Sequence, residues 1–246
     1  MTTRIALLGD IHGNIAALEA AIDEVNKRRP DVLAITGDLV LNGPRPSEVV
    51  ARVRALEADG AIVVQGNTDV AVADFDYAAA FPWLEEIPAT HRAATEWAHD
   101  QLSAEDLGYL RGLPAERRVR DDGVMALICH ASPGSQTDGL STDLDASVTV
   151  ERIARTDASA IGCGHTHVAE VRAVGRKLIC NAGSCGYAFD GDPGASWALL
   201  TIGETLEAEL FRTAYDAQAV SDELSTRGLP GDVYRAATVR TGRFVR

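Results

Sequence analysis

The sequence predicts an α/β protein with a parallel sheet at its N-terminal end and a second sheet packed on it. Two observations carry this. Three short apolar runs (residues 5–8, 32–35 and 61–64) each end in a Gly-containing turn and lead into a helical pattern. Strand–loop–helix units in succession make parallel sheets with helical crossovers. Beyond residue 170, four strand patterns follow one another closely, which favours antiparallel pairing in a separate sheet.

The first run, Ile5 to Leu8, stops at Gly9-Asp10-Ile11-His12-Gly13-Asn14. In extended chain, positions i and i+2 face the same side. Asp10 and His12 therefore project together beyond the carboxyl end of the strand, where open α/β sheets bind ligands. A hard oxygen donor beside an imidazole suits Mn, Fe, Zn or Ni better than Ca or Mg. Taken alone, the pair reads as a helix-capping Asp and an incidental loop His. A helix follows, with Ile15, Leu18, Ile22 and Val25 at helical spacing, closed by Arg28, Arg29 and Pro30. The second strand ends in Thr36-Gly37-Asp38. A loop, Asn42 to Pro46, precedes a helix that starts at Ser47 and runs to about residue 58. The third strand ends in Gly66-Asn67-Thr68-Asp69.

From about residue 70 to 113 the pattern is helical, with apolar faces from Trp83, Leu84, Trp97, Leu102, Leu107, Tyr109 and Leu110, and reads as a lid inserted in the sheet. Ser103 with Asp106 marks a helix start. Strands resume at 117–120 and 124–129, the latter meeting His130. A polar loop spans 131–142, a helix 145–155, and a strand at 158–161 leads into Gly162-Cys163-Gly164-His165-Thr166-His167. Strands at 170–174 and 177–180 flank a turn at Gly175, and two more lie at 196–202 and 207–211. A helix is expected from Tyr215 to about residue 227. The rest, to Arg246, is weakly patterned and expected to be loosely ordered. No linker divides the chain, so residues 1–246 read as one domain, with the insertion at 70–113 and a C-terminal helix and tail at 214–246.

At 246 residues and 46% hydrophobic the chain can bury a sizeable core. Its 23 basic and 36 acidic residues give a net charge of −13. That balance disfavours non-specific nucleic-acid and anionic-membrane binding, while a small anionic substrate stays possible where bound metals invert the local field. The N-terminus has no apolar leader and no stretch is long enough to span a bilayer, so a cytoplasmic location is expected. Oligomeric state is not readable. Cys129, Cys163, Cys180 and Cys185 form no CxxC pair and read as buried reduced thiols, with Cys180 and Cys185 as remote candidates for metal ligands.

Collected in order, the strand ends present Asp10-x-His12, Gly37-Asp38, Gly66-Asn67-x-Asp69, His130 and Gly164-His165-x-His167. Four of the six histidines fall in this set. The order D-x-H, G-D, G-N-x-D, H, G-H-x-H resembles the calcineurin-like metallophosphoesterase superfamily. The phrases Gly9–Asn14, Gly37-Asp38-Leu39-Val40 and Asn181-Ala182-Gly183-Ser184 are similar to its small bacterial and archaeal phosphodiesterase branch. The likeness runs to about Phe211. It implies a four-layer α/β/β/α sandwich of two mixed sheets flanked by helices, with the site at one edge. It also implies two divalent metal ions, Mn favoured and Fe, Zn, Ni or Co possible. Asp10, His12 and His167 would hold one ion and Asn67, His130 and His165 the other, with Asp38 bridging. A metal-bridging hydroxide would then attack phosphorus in line, with Asp38, Asn67 and His130 central to catalysis.

One position departs from the family. Many members carry His between the Asn and the acid, where it contacts phosphate and assists the leaving group. Here it is Thr68, which can form a hydrogen bond but cannot act as an imidazolium acid. Asp69, which orients that His in the family, is then free to bond a backbone amide or a ligand. His91 and His99 read as helix-surface residues. Arg45, in the loop beside Asp38, is the better candidate to clamp a phosphate, and Gly183 and Ser184 are candidates to present backbone amides. The expected activity is hydrolysis of phosphoesters, phosphodiesters first, on a small phosphorylated substrate. A phosphoprotein phosphatase or dinucleoside polyphosphate hydrolase is the alternative. From another class comes a non-catalytic protein-binding scaffold on the same fold, which the full ligand set disfavours. A dinucleotide-binding domain is not supported, because the first turn lacks the GxGxxG spacing.

Overall fold

The computed structural model describes residues 2–246. Strand β1 (Thr2–Leu8) lies at the centre because it is apolar on both faces. Ile5 and Leu7 point to one side, Ala6 and Leu8 to the other, and all four are fully buried. Helices α1 (Ile15–Arg28) and α2 (Pro46–Ala58) are the crossovers that bring β2 (Val32–Ile35) and β3 (Ile62–Val63) alongside in parallel. The Asn14 side chain caps α1 by accepting from the Ala17 amide at 3.1 Å, and Pro46 opens α2, where its missing N–H costs nothing. Antiparallel strands β9 (Ala195–Gly203) and β10 (Glu207–Thr213) complete a sheet of order β10-β9-β1-β2-β3.

The second sheet has the order β4-β5-β6-β8-β7, from β4 (Glu116–Asp121), β5 (Val124–Cys129), β6 (Ala160–Cys163), β7 (Glu170–Val174) and β8 (Lys177–Asn181). Its inner strands β5, β6 and β8 are parallel and its two edges antiparallel. Ile5, Leu7 and Leu200 meet Ala126, Ile128 and Cys180 between the sheets. α1 and α2 cover the far face of the first sheet. Helix α7 (Ala146–Ile153) covers the second through Ile153, which packs with Cys129, Ile161 and Ile179. The result is the expected four-layer arrangement of two mixed sheets between helices.

The insertion folds as α3 (Asn67–Asp74), α4 (Tyr77–Ala80), α5 (Ala89–Asp100) and α6 (Ala104–Gly112). Ser103 and Asp106 cap α6 reciprocally, as their spacing predicts. Leu107 and Leu110 join the core beneath the first sheet, so this part is anchored. Helix α8 (Ala217–Arg227) lies where a helix is expected.

Two expectations are corrected. The segment after α8 is not loosely ordered: it forms helix α9 (Asp232–Thr241). Its weak pattern hides it because polar contacts do much of the holding. Asp232 pairs with Arg227 at 2.6 Å and Arg235 at 3.1 Å, and accepts from the Leu229 amide at 2.9 Å. Only Ala236 and Val239 supply apolar packing, against Leu224 and Tyr187. Cys180 and Cys185 are also no ligand pair. Cys180 faces the space between the sheets and Cys185 the helical side of the first sheet. All four cysteines are free and buried, and burial pushes the Cys180 thiol up to about 12. Among the described residues no helix is long and apolar enough to cross a membrane.

Candidate metal centre

The carboxyl ends of the strands bring seven of the predicted side chains to one edge of the sandwich. β1 delivers Asp10 and His12, and β2 delivers Asp38. The turn after β3 delivers Asn67, β5 His130, and the loop after β6 His165 and His167. Five of the seven, Asp10, His12, Asp38, His165 and His167, sit at φ between 51° and 69°. That left-handed region costs non-glycine residues roughly 1–2 kcal/mol each, and strain of this kind collects at functional sites. Glycines make room for the carboxylates. A Cβ on Gly66 would lie 2.1 Å from Asp38 Oδ1, and one on Gly164 2.2 Å from Asp10 Oδ2.

Hydrogen bonding settles which lone pairs point inward. His12 Nδ1 lies 2.8 Å from Leu41 O, His167 Nδ1 2.5 Å from Tyr187 O, and His130 Nδ1 2.7 Å from Thr36 O. A carbonyl only accepts, so each Nδ1 donates, and in the neutral ring each Nε2 is bare. Two of these bare nitrogens, on His12 and His167, face each other at 3.1 Å. Asp10 Oδ1 is 3.2 Å from His167 Nε2, and it is buried with no hydrogen-bond partner. The donor atoms of Asp10, His12, Asp38 and His167 lie within 4.8 Å of one another. Donors each about 2.0–2.2 Å from one ion lie roughly 3–4.5 Å apart, so small shifts close this set on a cation.

A second group meets it. Asn67 donates its amide N–H to Ala80 O at 2.9 Å, which turns Oδ1 inward. His130 Nε2 lies 2.9 Å from that oxygen and 3.1 Å from His165 Nδ1. Asp38 stands between the groups, with Oδ2 3.6 Å from His12 Nε2 and Oδ1 3.5 Å from His130 Nε2. The bare nitrogens of His12 and His167 and the unpartnered oxygen of Asp10 repel unless a cation lies among them, so the donor set fits divalent metal.

The ionisation behaviour agrees. Burial, then His167, lowers His12 to about 4. Burial, then His130, lowers His165 to about 4. Both are neutral near pH 7, the form that binds metal. Burial would also lower His130, but the Asp38 and Asp10 carboxylates outweigh it and raise this imidazole. Burial would raise Asp10, yet the imidazoles around it, His167 first, hold its carboxyl well below the usual range.

Other candidates go elsewhere. Asp69 accepts from the amides of Asp38 (3.0 Å), Leu39 (2.8 Å) and Gly66 (2.9 Å), so it positions the turn that carries Asp38. Burial and then Asp38 raise its carboxyl to about 7. Arg45 does not reach the site: it is half-exposed and tied to Glu223 at 2.9 Å and Glu48 at 3.3 Å, because α8 packs beside its loop. The Gly183 amide donates to Asn181 Oδ1 at 2.9 Å, and Ser184 Oγ donates to Asp10 O at 2.7 Å. Ser184 thus supports the first turn, and the Gly183 amide is taken by Asn181 and not by a ligand.

Residues 3–205 match the family described as the calcineurin-like phosphoesterase superfamily domain. The chain belongs to this superfamily. It is similar to a metallophosphoesterase from Sphaerobacter thermophilus, with 28% identity, a TM-score of 0.74, and coverage of 98% of this chain and 100% of that one. A hypothetical protein from Pyrococcus horikoshii shares the fold at a TM-score of 0.84 and 22% identity, over 97% of this chain and 98% of its own. An uncharacterized protein of Methanocaldococcus jannaschii is 25% identical over 92% of this chain and 93% of its own length.

Above the centre of this phosphoesterase opens a cavity of about 440 Å³. His12, Asp38, Asn67, His165 and His167 lie at its base, with Thr68, whose buried hydroxyl has no partner. Its sides come from residues not singled out by any motif. Phe81 and Trp83 come from the loop after α4, Tyr187 and Phe189 from the segment after β8, and Tyr234 and Phe244 from the C-terminal segment outside the matched domain. His91 also lines it, edge-on to Phe81, and is no surface residue. Burial, then Arg235, lowers its imidazole. His99 does stay off the site, bonding Val72 O at 2.7 Å. The only advance signal for these walls was the density of aromatic residues in the insertion and near the end of the chain.

Proposed function

We propose that this protein is a dinuclear metal-dependent phosphoesterase that hydrolyses small phosphorylated substrates, phosphodiesters before monoesters. The observation that carries the reading is the pair of inward-facing donor groups with one oxygen of Asp38 turned to each. Asp10, His12 and His167 would hold one ion and Asn67, His130 and His165 the other. Bound divalent cations supply Lewis acidity toward phosphoryl oxygen and bring the ionisation of water near neutrality. Mn is favoured because the donors mix carboxylate, amide oxygen and imidazole. The protein's part is to fix His12, His167 and His130 through the carbonyls of Leu41, Tyr187 and Thr36, which turn each Nε2 inward, and to hold Asp38 through Asp69.

The diester preference rests on Thr68. Its hydroxyl can bond a phosphoryl oxygen but cannot protonate a leaving group, and among the described residues no other side chain at the base of the cavity is a free acid. Substrates with good leaving groups, or with only one negative charge on phosphorus, suit this site best. Four unpaired buried thiols favour a reducing compartment, and on that ground we assign a cytoplasmic location.

The test is metal content after purification without chelator, together with hydrolysis of bis-p-nitrophenyl phosphate and p-nitrophenyl phosphate with added Mn. Two ions per chain and faster diester cleavage support the reading. Faster monoester cleavage overturns the diester preference. Metal bound without hydrolysis of either ester, or of a dinucleoside polyphosphate, favours a scaffold. Full activity in both Asp38→Asn and His130→Gln would overturn the site itself.

A further inference from the structure

We infer that the cavity is a binding site for a flat aromatic group on the substrate, gripped between Trp83 and the Phe189–Phe244 pair beside the phosphoryl position. The inference rests on the phosphoesterase reading and adds the substrate class.

The geometry has two sides, each rooted in a metal-site imidazole. On one side Phe189 stacks on His167 with ring centroids 4.2 Å apart, and Phe244 extends the wall from Phe189 at 5.0 Å. On the other, Trp83 stands edge-on to His165 at 6.2 Å and Phe81 backs Trp83 at 5.9 Å. A phosphoryl group at the centre thus has aromatic faces within one ring's reach on both sides. Trp83 is 55% and Phe244 49% exposed, although both line a concave site. Large rings left in water at a cleft mouth hold apolar area that a ligand can cover.

The composition of the walls narrows the ligand. Among the described residues, no lysine lines the cavity, and Asp38 is the only acid there. Arg235 lines it but is committed to Asn42 Oδ1 at 3.1 Å, Pro230 O at 2.9 Å, Asp232 and Thr90 O. Arg246 also lines it, with its guanidinium 5.2 Å from the Phe244 ring centroid, so the positive charge at the cavity is carried by the aromatic wall itself. Six aromatic residues against few aliphatic ones favour a planar ring over a flexible acyl chain, since ring faces gain from stacking. His91 Nδ1 is buried without a partner in the same cavity, a hydrogen-bonding atom that a heteroaromatic edge can satisfy.

The walls are also held in place. Arg227 donates to Gly43 O at 2.9 Å and stacks over Trp97 at 4.3 Å, while Arg235 bonds Asn42 of the same loop. These contacts pin α8 and α9, and with them Phe244, to the loop behind His12. The second wall is thus built into the fold, which reduces the ordering cost of binding.

The experiment compares adenosine 5′-monophosphate with ribose 5-phosphate by calorimetry on the Mn-loaded protein. The two probes differ only by the base, and the readout does not depend on turnover. The nucleotide is expected to bind at least tenfold tighter, and that ratio should fall at least fivefold in Trp83→Ala and in Phe244→Ala, with folding checked by thermal melting. Equal affinities, no binding of either probe, or a ratio that survives both substitutions would overturn the aromatic subsite. The catalytic reading is judged separately, by hydrolysis of methyl p-nitrophenyl phosphate by the unmodified protein. A retained binding ratio without hydrolysis removes the enzyme and keeps the subsite, and hydrolysis without a ratio does the reverse.

Discussion

The base and the walls of the cavity are built on opposite terms. The base consists of polar side chains that are almost all buried, held at strand ends in costly backbone conformations, with lone pairs turned on one another. The walls are aromatic, partly exposed and carried mostly by irregular segments: the loop after α4, the stretch between β8 and β9, and the chain after α9. A polar cluster of that kind is stable only for something that neutralises it, and an exposed aromatic wall is useful only for something that covers it. The strand ends that form the base lie within residues 3–205, whereas two of the six aromatic wall residues, Tyr234 and Phe244, come from outside that span.

The sharpest break between the two regions is removal of a ligand from the base. His130→Gln loses the imidazole that faces Asn67 and Asp38, and hydrolysis should fall by about a thousandfold or more, given the several kcal/mol that metal stabilisation supplies. Metal analysis of the same variant should find less than the full complement. A variant with unchanged metal and unchanged kcat/KM would show that this part of the base is structural.

This contrast also explains what was legible in the sequence. Asp10-x-His12 and His165-x-His167 are local: each pair needs only one strand end to be placed, and the period of two fixes its side. The four layers follow from strand–helix alternation in the same way. The walls are non-local. Nothing near Phe244 says that it will meet Phe189, because the contact depends on α9, and α9 depends on the Asp232 ion pairs and a loop some 190 residues earlier. Arg45 shows the reverse error. Its position beside Asp38 in sequence is real, but Glu223 of α8, far along the chain, takes its guanidinium.

Second in size is the effect of cations and protons on stability. Bound metal at a hundred times its Kd should add about 2.7 kcal/mol to unfolding free energy, read as a fall in melting temperature on chelation. In the chelated protein, His12 and His165 titrate near 4 when folded and near 6.5 when unfolded. The unfolded chain therefore binds more protons between those values. Their contribution is complete above about pH 6.5 and is lost as pH falls toward 4. His130, raised in the fold, has the opposite sign and offsets part of the change. Denaturant unfolding at pH 7, 6 and 5 should show a steady loss, and a rise over that range would contradict the neutral assignment of the two rings.

A smaller effect is expected at the boundary between base and walls. Thr68→His places an imidazole where the cavity already meets a hydroxyl with no partner. General acids contribute about a hundredfold or more when well placed, and an unsupported one should give less, roughly tenfold. The gain should appear on alkyl leaving groups and vanish on p-nitrophenolate, which leaves without a proton. Equal gains on both, seen as an unchanged slope of log(kcat/KM) against leaving-group pKa, would mean that the imidazole binds phosphate and does not protonate.

The smallest effect tests whether the base is strained. His165 has φ 69°, and its backbone amide donates to Asp10 Oδ2 at 2.9 Å whatever side chain it carries. Asn tolerates the left-handed region better than His, and it removes one of the facing nitrogens without touching the amide bond. His165→Asn should therefore make the chelated protein about 1 kcal/mol more stable, while the Mn-loaded variant gains less from metal than the unmodified protein does. Opposite signs in the two conditions are the signature of a site whose geometry is kept for the cation at the expense of the fold. A loss of stability in both would mean that His165 packs usefully against Trp83 and that the strain at this position is small.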